Sequence, residues 1–301
     1  MSLHVFANIV TPYGTAANNR SETEGNITTL QKLIWQGQTH STVSAEAIRF
    51  ALRRILGATE KTNRSWDETI RGNVWSDPQF AGWAKESGQT YVDDDLLGYM
   101  IAQAATEEGE AGTATVRRAV LEITRAISLT PWAGDVTFNA ASPGATPSAQ
   151  KSGHNPVPYG TEVHATRYQF GLALTPERLR DKTRAAKAIR ALGSLATVAG
   201  NHGRFLFDFA PESIIIRLTD DPAPRLLYCF DTADEGKTVL APALKRRVDS
   251  GDIGGDELII GGVYADTDEA KSMGKATTSA GVKAAIEEAC KRINAKLGIK
   301  E

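Results

Sequence analysis

The sequence of 301 residues predicts an α+β fold in which strands and helices follow the order βαββαβ. Residues 43–56 carry apolar side chains at three- and four-residue spacing, which predicts an amphipathic helix. Residues 119–129 and 163–174 alternate apolar and polar side chains, as half-buried strands do. A second amphipathic helix follows at 175–196. We therefore expect a sheet of the ferredoxin-like or RNA-recognition type, with helices on one face and the other face free to bind.

The first strand and helix are the best defined elements. A short apolar run at residues 3–10, bounded by turn-forming residues, predicts a buried strand. The helix at 43–56 has three candidate caps in Ser41, Thr42 and Ser44.

The stretch 35–56, which contains this helix, allows two interpretations. It is either a capped surface helix, whose Arg53 and Arg54 compensate the C-terminal dipole just before Gly57, or an anion site. The second interpretation follows because a helix N-terminus offers unpaired N–H groups to a phosphate.

Residues 57–112 lose this simple period, since aromatic residues are scattered among glycines and acids. We expect an inserted subdomain with a small core of its own. Three adjacent carboxylates, Asp93, Asp94 and Asp95, suggest either a metal site or a solvated turn or helix cap. We favour the turn or cap, because three adjacent carboxylates need partners from elsewhere to converge on one ion.

The connection between the two alternating strands, residues 130–162, is rich in Pro, Gly, Ser and Asn. A connection of this length inside a compact domain is usually functional or mobile. We expect it to form an extended hairpin that projects from the sheet.

The second helix begins with a strong start signal at Thr175, Pro176 and Glu177. One side of this helix is basic. That side is either solvated or in contact with phosphate or an acidic neighbour. Its residues are Arg180, Arg184, Lys187 and Arg190.

The remainder of the chain completes the pattern. A polar glycine turn at 200–204 leads to a strand at 214–218, for which 226–230 is a candidate partner. A further apolar run spans 258–264, and residues 282–297 predict a closing amphipathic helix.

Composition limits the function classes. Hydrophobic residues make up 41% and charged residues 23%, as in an ordinary soluble globular protein. The net charge of −2 means that any nucleic-acid contact depends on a local basic face. Cys229 and Cys290 lie far apart in apolar contexts, which indicates buried thiols in a reducing compartment. With no signal peptide or membrane-spanning run, we expect a cytoplasmic protein that binds no membrane.

No catalytic motif is present in the sequence. The histidines are dispersed, and HExxH, paired CxxC, P-loop, GxSxG and dinucleotide-binding patterns are absent, as is the aromatic RNA-recognition signature. We expect no enzyme, no cofactor and no metal, and we favour phosphate binding by helix ends and loops over base stacking on the sheet.

Three segments together resemble the CRISPR-associated DevR-type family, the repeated backbone subunit of type I (I-B-like) Cascade. They are the opening strand with Asn19 and Arg20, the segment QGQTHSTVSAEAIRFALRRIL, and NHGRFLFDFAPESIIIRLTD at 201–220. The resemblance implies an RNA-recognition-motif-like palm with an inserted finger subdomain and a thumb hairpin. The implied divisions are palm at 1–56, finger at 57–112, a palm strand at 113–130, thumb at 131–162 and palm again at 163–301.

The resemblance also implies a function. Subunits of this family oligomerise along a CRISPR guide RNA, beside other Cascade subunits, and present it for pairing with target DNA without cutting, in antiviral defence or RNA-guided targeting. The thumb of one subunit displaces a guide base over the next, so that base pairing reads sequence while protein reads backbone and shape.

Residues that match the family's binding positions follow from the resemblance. The implied RNA-binding residues are Asn19, Arg20, Ser44, Arg49, Arg53, His202 and Arg204. In the thumb, Val136 and Phe138 are candidates for an apolar wedge, and Lys151 and His154 for contacts to the backbone.

The chain also departs from the family pattern. Gln38, Thr39 and His40 stand where many relatives carry basic residues, so we expect affinity to come from many linked subunits. The alternative function is a metal-dependent ribonuclease that cuts target RNA through a thumb aspartate, here Asp135. A third possibility is an adaptor that recruits a nuclease or transposition machinery.

Overall fold

A computed structural model describes residues 2–18, 22–86, 88–103, 113–144, 156–199 and 206–300. The helices in these ranges are α1 Ala45–Gly57, α2 Val92–Leu97, α3 Arg184–Leu192, α4 Pro242–Asp249, α5 Asp268–Lys271 and α6 Val282–Leu297. None of the helices described in these ranges is long and apolar enough to span a membrane.

Short strands dominate the rest. The first ten are β1 His4–Val10, β2 Gly14–Ala16, β3 Thr23–Glu24, β4 Ile27–Thr28, β5 Lys32–Trp35, β6 Gln38–Val43, β7 Arg64–Asp67, β8 Gly72–Trp75, β9 Tyr99–Gln103 and β10 Thr113–Arg117. They are followed by β11 Leu121–Ile123, β12 Ala126–Ser128, β13 Val136–Ala141, β14 Val157–Glu162, β15 His164–Thr166, β16 Tyr168–Leu174, β17 Ser213–Thr219, β18 Asp231–Ala233, β19 Thr238–Leu240, β20 Leu258–Gly262 and β21 Thr277–Ser279.

The main sheet has the order β21-β20-β17-β1-β16-β12-β6-β5, and β11 also pairs with β16. Its central strand β1 is antiparallel to both neighbours, with Val5 opposite Leu174 on one side and Leu218 on the other. The α+β class predicted from the sequence is therefore correct.

Both faces of this sheet are covered around β1. Val5 and Ile9 of β1 pack on one face with residues of α1, α3 and α6. Phe6 and Val10 point to the other face, into a second core formed largely by residues 226–276. The expectation of a free second face is therefore wrong for this half of the sheet. The reason is that β1 is apolar on both sides, as strands buried on both faces are.

The predicted strand at 119–129 is interrupted by a bulge. Ile123 pairs with Leu172, whereas Ile127 pairs with Gln169, so the strand gains one residue relative to β16. The amide of Gly171 donates to Thr124 Oγ1 at 2.8 Å where the register changes. A bulge of this kind bends the strand and re-aims one side chain.

Two other elements differ from expectation. Residues 226–230 form no strand: Leu226 and Phe230 are buried in the second core, and the partner of β17 is β20. The second helix does not start at Thr175, where only a 3₁₀ turn, Pro176–Arg178, forms. Asp95 accepts the amides of Arg180 (3.0 Å) and Asp181 (3.1 Å), which satisfies these donors outside a helix and delays α3.

The closing helix α6 is confirmed at 282–297, and the strand before α1 is more regular than expected. The polar approach to α1 is a hairpin, β5–β6, in which Trp35 pairs with Gln38. Gln36 and Gly37 both have positive φ, 50° and 81°, as a two-residue hairpin turn requires.

Candidate functional site

Six of the residues implied by the resemblance lie outside the residues that the structure describes. They are Asn19, Arg20, Lys151, His154, His202 and Arg204. The remaining candidates fall on α1 and on the hairpin β13–β14.

Ser44 is the N-cap of α1. Its backbone is extended (φ −68°, ψ 149°), and its Oγ accepts a hydrogen bond from the amide of Ala47 at 3.3 Å. Ser41 and Thr42, the other two candidates for the cap, belong to β6. The hydroxyl of Ser44 therefore orders the end of the helix, whose remaining first-turn N–H groups are typical anion donors.

Arg49 and Arg53 have partners within the protein. Arg49 donates a hydrogen bond to the carbonyl oxygen of Leu97. The pKa of Arg49 is lowered, mainly by burial and secondly by the charge of Arg53. Arg53 Nε lies 3.1 Å from Asp93 Oδ2, and this carboxylate is buried. Both arginines are therefore partly engaged in holding α1 to α2.

A polar cleft of about 460 Å³ lies beside β6, close to the start of α1. Arg125, at the bulge between β11 and β12, is exposed there and donates to Thr42 Oγ1 at 3.2 Å. Lys32 also lines the cleft, but it is paired with Glu162 at 2.7 Å. Sequence reasoning missed Arg125. In the sequence, Arg125 is visible only as a charged residue within the alternating pattern of 119–129.

The polar residues of β6 are mostly buried. His40 Nδ1 lies 2.7 Å from the carbonyl oxygen of Ser128, and the ring is buried. Ser41 Oγ is 2.7 Å from both His164 Nδ1 and Tyr168 Oη. Burial lowers the pKa of His164 to about 4. The rings of His40 and His164 therefore make contacts inside the protein, and His40 does not line the cleft.

The hairpin β13–β14 presents an apolar stripe to solvent. Val136 and Phe138 are two residues apart on β13, on one face, and are 49% and 80% exposed. The hairpin is wider than the sequence indicated, because β4 pairs with β14 and β3 pairs with β4. Gly160 allows close packing here, since a Cβ would lie 3.0 Å from Ile27 and 3.2 Å from Val136.

Asp135 is exposed just before β13, and its backbone carbonyl accepts the amide of Val163 at 3.0 Å. Within the described ranges, no group of three His, Cys, Asp or Glu residues is arranged to hold a metal ion.

The three acidic residues Asp93, Asp94 and Asp95 form the buried first turn of α2. Asp93 accepts the amide of Asn63 at 2.7 Å, and Asp94 accepts the Asn63 side chain at 2.9 Å. Burial, and then the charge of Asp93, raise the pKa of Asp94 to about 7. These residues start a helix, as one of the two favoured interpretations predicted. They are not solvated, because residues distant in sequence bury their carboxylates.

Asp95 is fully buried between two arginines. Its oxygens lie 2.6 Å from Arg117 and 2.9 Å from Arg184. The basic side of α3 therefore meets acidic neighbours, one of the two alternatives predicted for it. The other pairs are Lys187 with Glu60 at 2.6 Å and Arg190 with Glu287 at 2.7 Å.

The same class of fold occurs in chains of CRISPR surveillance assemblies. A chain from a "CRISPR RNA-guided surveillance complex" matches with a TM-score of 0.57 and 16% identity, over 97% of this chain and 99% of that chain. A chain from a "CRISPR RNA-guided surveillance complex, pre-nicking" matches with a TM-score of 0.59 and 16% identity, over 97% and 100%. At this identity the similarity establishes the fold alone.

Sequence similarity defines the family. The family model described as "CRISPR-associated negative auto-regulator DevR/Csa2" matches residues 12–181, more than half of the chain. The chain is also 59% identical over 300 residues to "CRISPR-associated protein Cas7/Cst2/DevR" of Myxococcus xanthus (strain DK1622), covering 98% of this chain and 99% of that protein. The chain belongs to the DevR family of CRISPR-associated proteins, as the sequence resemblance indicated.

Proposed function

We propose that this chain is a non-catalytic, guide-RNA-binding backbone subunit of a Cascade-type CRISPR surveillance complex. Copies assemble along the guide beside other subunits and present it for pairing with target DNA. The observation that carries the proposal is the combination of a βαββαβ sheet with an exposed apolar hairpin next to a polar cleft at the start of α1. The similarity to chains of RNA-guided complexes supports it.

The palm corresponds to the four strands β17-β1-β16-β12, with α1 following β1 and α3 following β16. This spatial order is that of a ferredoxin-like or RNA-recognition-type unit. The finger at 57–112 and the thumb at 131–162 are then insertions between its elements. RNA runs along β6 and the start of α1, near the β5 end of the main sheet, since the second core covers the face of β1 opposite the helices.

The guide backbone contacts the first turn of α1 and the side chain of Arg125. Helix N–H groups and an exposed guanidinium are both phosphate ligands. Because Lys32 is paired with Glu162 and His40 does not line the cleft, a single subunit binds RNA weakly. Affinity grows with the number of linked subunits.

The thumb wedge consists of Phe138 and Val136. Two neighbouring apolar side chains left in solvent are typical of a surface that is covered in an assembly. Unstacked RNA bases commonly stack on aromatic side chains, so Phe138 is suited to stand beside a displaced guide base.

The test is to purify the chain with and without a co-expressed guide and to image the particle. We expect RNA-bound oligomers forming a curved filament with the guide, and RNA-free protein without it. In Arg125→Glu the retained RNA falls severalfold. In Arg118→Glu, a matched change at a 77% exposed side chain outside the cleft, it does not. Protein that stays monomeric and RNA-free in both preparations contradicts the proposal.

The non-catalytic assignment has its own test. The purified particle is incubated with magnesium and an RNA complementary to the guide, and cleavage is followed by gel. We expect intact RNA for the wild type and for Asp135→Ala alike. Cleavage by the wild type that Asp135→Ala abolishes would identify the ribonuclease instead.

A further inference from the structure

A cleft of about 600 Å³ opens between the C-terminal half of α1 and the hairpin β7–β8. Its lining combines aromatic rings and arginines with one acid, Glu68. Of the RNA-binding residues that the resemblance implies, Arg53 also lines this cleft, but it is paired with Asp93. The lining residues used below are Phe50, Arg54, Arg64, Trp66 and Asn73.

Three residues on one face of the hairpin, Arg64, Trp66 and Asn73, line this cleft. Side chains alternate along a strand, and Arg64 pairs with Trp75 while Trp66 pairs with Asn73, so these four residues share a face. Trp66 is 43% exposed, and its ring meets Phe50 edge to face at 6.4 Å and 82°. The contact fixes the indole and leaves much of it open to a planar ligand.

The positive charge of the cleft is only partly neutralised. Arg54 is exposed and makes no hydrogen bond or ion pair with another residue of the described ranges. Arg64 Nε donates to Asn73 Oδ1 at 2.9 Å, and the terminal nitrogens of Arg64 have no acceptor among the described residues. Burial, and then the charge of Arg53, lower the pKa of Arg64. The lining therefore carries three arginines, Arg53, Arg54 and Arg64, against one acid, Glu68, and this excess of positive charge would attract an anion.

This cleft is separate from the proposed guide groove. Arg54 and Gly57 lie at the opposite end of α1 from Ser44, and a helix of 13 residues is about 20 Å long. A nucleotide bound at the first turn of α1 would therefore not also contact Trp66.

We propose that this cleft is a second nucleic-acid site, which binds a short single-stranded segment with one base stacked on Trp66 and flanking phosphates on Arg54 and Arg64. Aromatic platforms beside positive charge are the usual way in which proteins hold single strands without reading their sequence. An acidic peptide would pair with the arginines but would leave the exposed indole unused. The polarity of Arg64 and Asn73 favours a ligand that is also hydrogen-bonded.

The test uses the full-length chain purified with its guide. Fluorescently labelled oligothymidylate and oligouridylate, neither complementary to the guide, are titrated separately, so that the two arms distinguish DNA from RNA. We expect Trp66→Ala, Arg54→Glu and Arg64→Glu each to raise the Kd about fivefold or more, the lower end of the effect of one stacked base. Trp66→Phe retains most of the binding.

Arg71→Glu is the matched control, because Arg71 lies in the turn of the same hairpin, outside the cleft, and the change in charge is the same. We expect its Kd to be unchanged. Photo-crosslinking with a 4-thiothymidine strand should label the tryptic peptide of residues 65–71, which contains Trp66.

Three results would overturn the proposal. The first is wild-type affinity for the labelled strands in all of the cleft variants, and the second is an equal loss of affinity in Arg71→Glu. The third is a loss of affinity in the arginine variants that Trp66→Ala does not share, which would indicate an acidic peptide ligand. Guide retention is measured in every variant and should not change. A chain that retains no guide contradicts the proposed function, and strand binding by the free chain still tests this cleft.

Discussion

Asp95 joins three parts of the chain through one buried carboxylate. Arg117 and Arg184 contact its oxygens, and the amides of Arg180 and Asp181 donate to them. A buried charge that loses its partner costs far more than a surface charge, because water does not replace the lost contact. This cluster should therefore dominate the mutational sensitivity of the region.

Arg184→Ala should lower the free energy of unfolding by about 3–5 kcal/mol, because Asp95 and Glu60 then lose a buried partner. The matched control is Arg190→Ala on the same helix, whose pair with Glu287 is exposed and should contribute less than about 1 kcal/mol. Urea unfolding measures both. Equal losses for the two variants would contradict the role given to burial.

Asp94 should give the protein an unusual pH dependence. Its pKa is raised from 3.8 to about 7, so the fold favours the protonated form, and this stabilisation is lost as the pH rises towards 7. Asp94→Asn removes the effect. The free energy of unfolding of the variant, relative to wild type, should rise between pH 5 and 7 by at most about 1.4 kcal/mol per pH unit and then level off. A difference that stays constant from pH 5 to 8 in urea unfolding would contradict this.

At the level of secondary-structure elements, the junction between α2 and β9 depends on one glycine. Gly98 has φ 68° and ψ 177°, a backbone conformation that is essentially restricted to glycine. A Cβ there would lie 2.3 Å from the carbonyl oxygen of Arg117. The close approach brings the end of β10 against the junction between α2 and β9.

Gly98→Ala should therefore destabilise the protein by at least about 2 kcal/mol, from backbone strain and the clash together. Gly25→Ala is the control, because Gly25 also has a positive φ, 60°, but nothing lies within 4 Å of its Cβ position. Its cost should be about 1 kcal/mol. Thermal unfolding of the two variants distinguishes the contributions, and a smaller effect at Gly98 than at Gly25 would be inconsistent with the clash.

Some elements were predictable because their pattern is local. The helix α6 follows from apolar spacing alone. Residue type gave three candidates for the cap of α1, and the structure identifies Ser44 among them. The bulge beside Thr124 was not predictable, because the register of β11 and β12 depends on β16, more than 40 residues away. The position of Arg125 in the cleft depends on that bulge.

At the scale of the whole molecule, stability should differ sharply between the palm and the finger. Every residue of β17 is buried, and β1 is buried except at its first residue, whereas β8 is mostly exposed. Regions with few buried contacts open locally without global unfolding. The finger hairpin β7–β8 is such a region.

Native-state hydrogen exchange should show this gradient. Amides of β1, β16 and β17 should exchange only through global unfolding, and amides of β7 and β8 at least about a hundredfold faster. Mass spectrometry of peptides from the two regions provides the measurement. Equal protection of finger and palm strands would mean that they unfold as one unit.

The sequence predicted the class of fold and its family from short segments. The second core could not be predicted, because residues such as Leu226 and Phe230 look like strand residues until the sheet that they cover is known. The candidate sites were predicted in part. Ser44, Val136 and Phe138 were already candidate site residues from the sequence. The cleft between α1 and β7–β8 could not be predicted, because it depends on how two separate elements pack together.

The carboxylate of Asp95 has a consequence for engineering the protein. An exchange of finger regions between relatives is a natural way to alter what such a subunit contacts, and 57–112 looks like a convenient module. Its junctions, however, pass through charges shared with the palm, because Asp95 meets Arg117 and Arg184, and Glu60 meets Arg184 and Lys187. A functional chimera must transplant both sides of each pair, so the exchangeable unit includes part of α3.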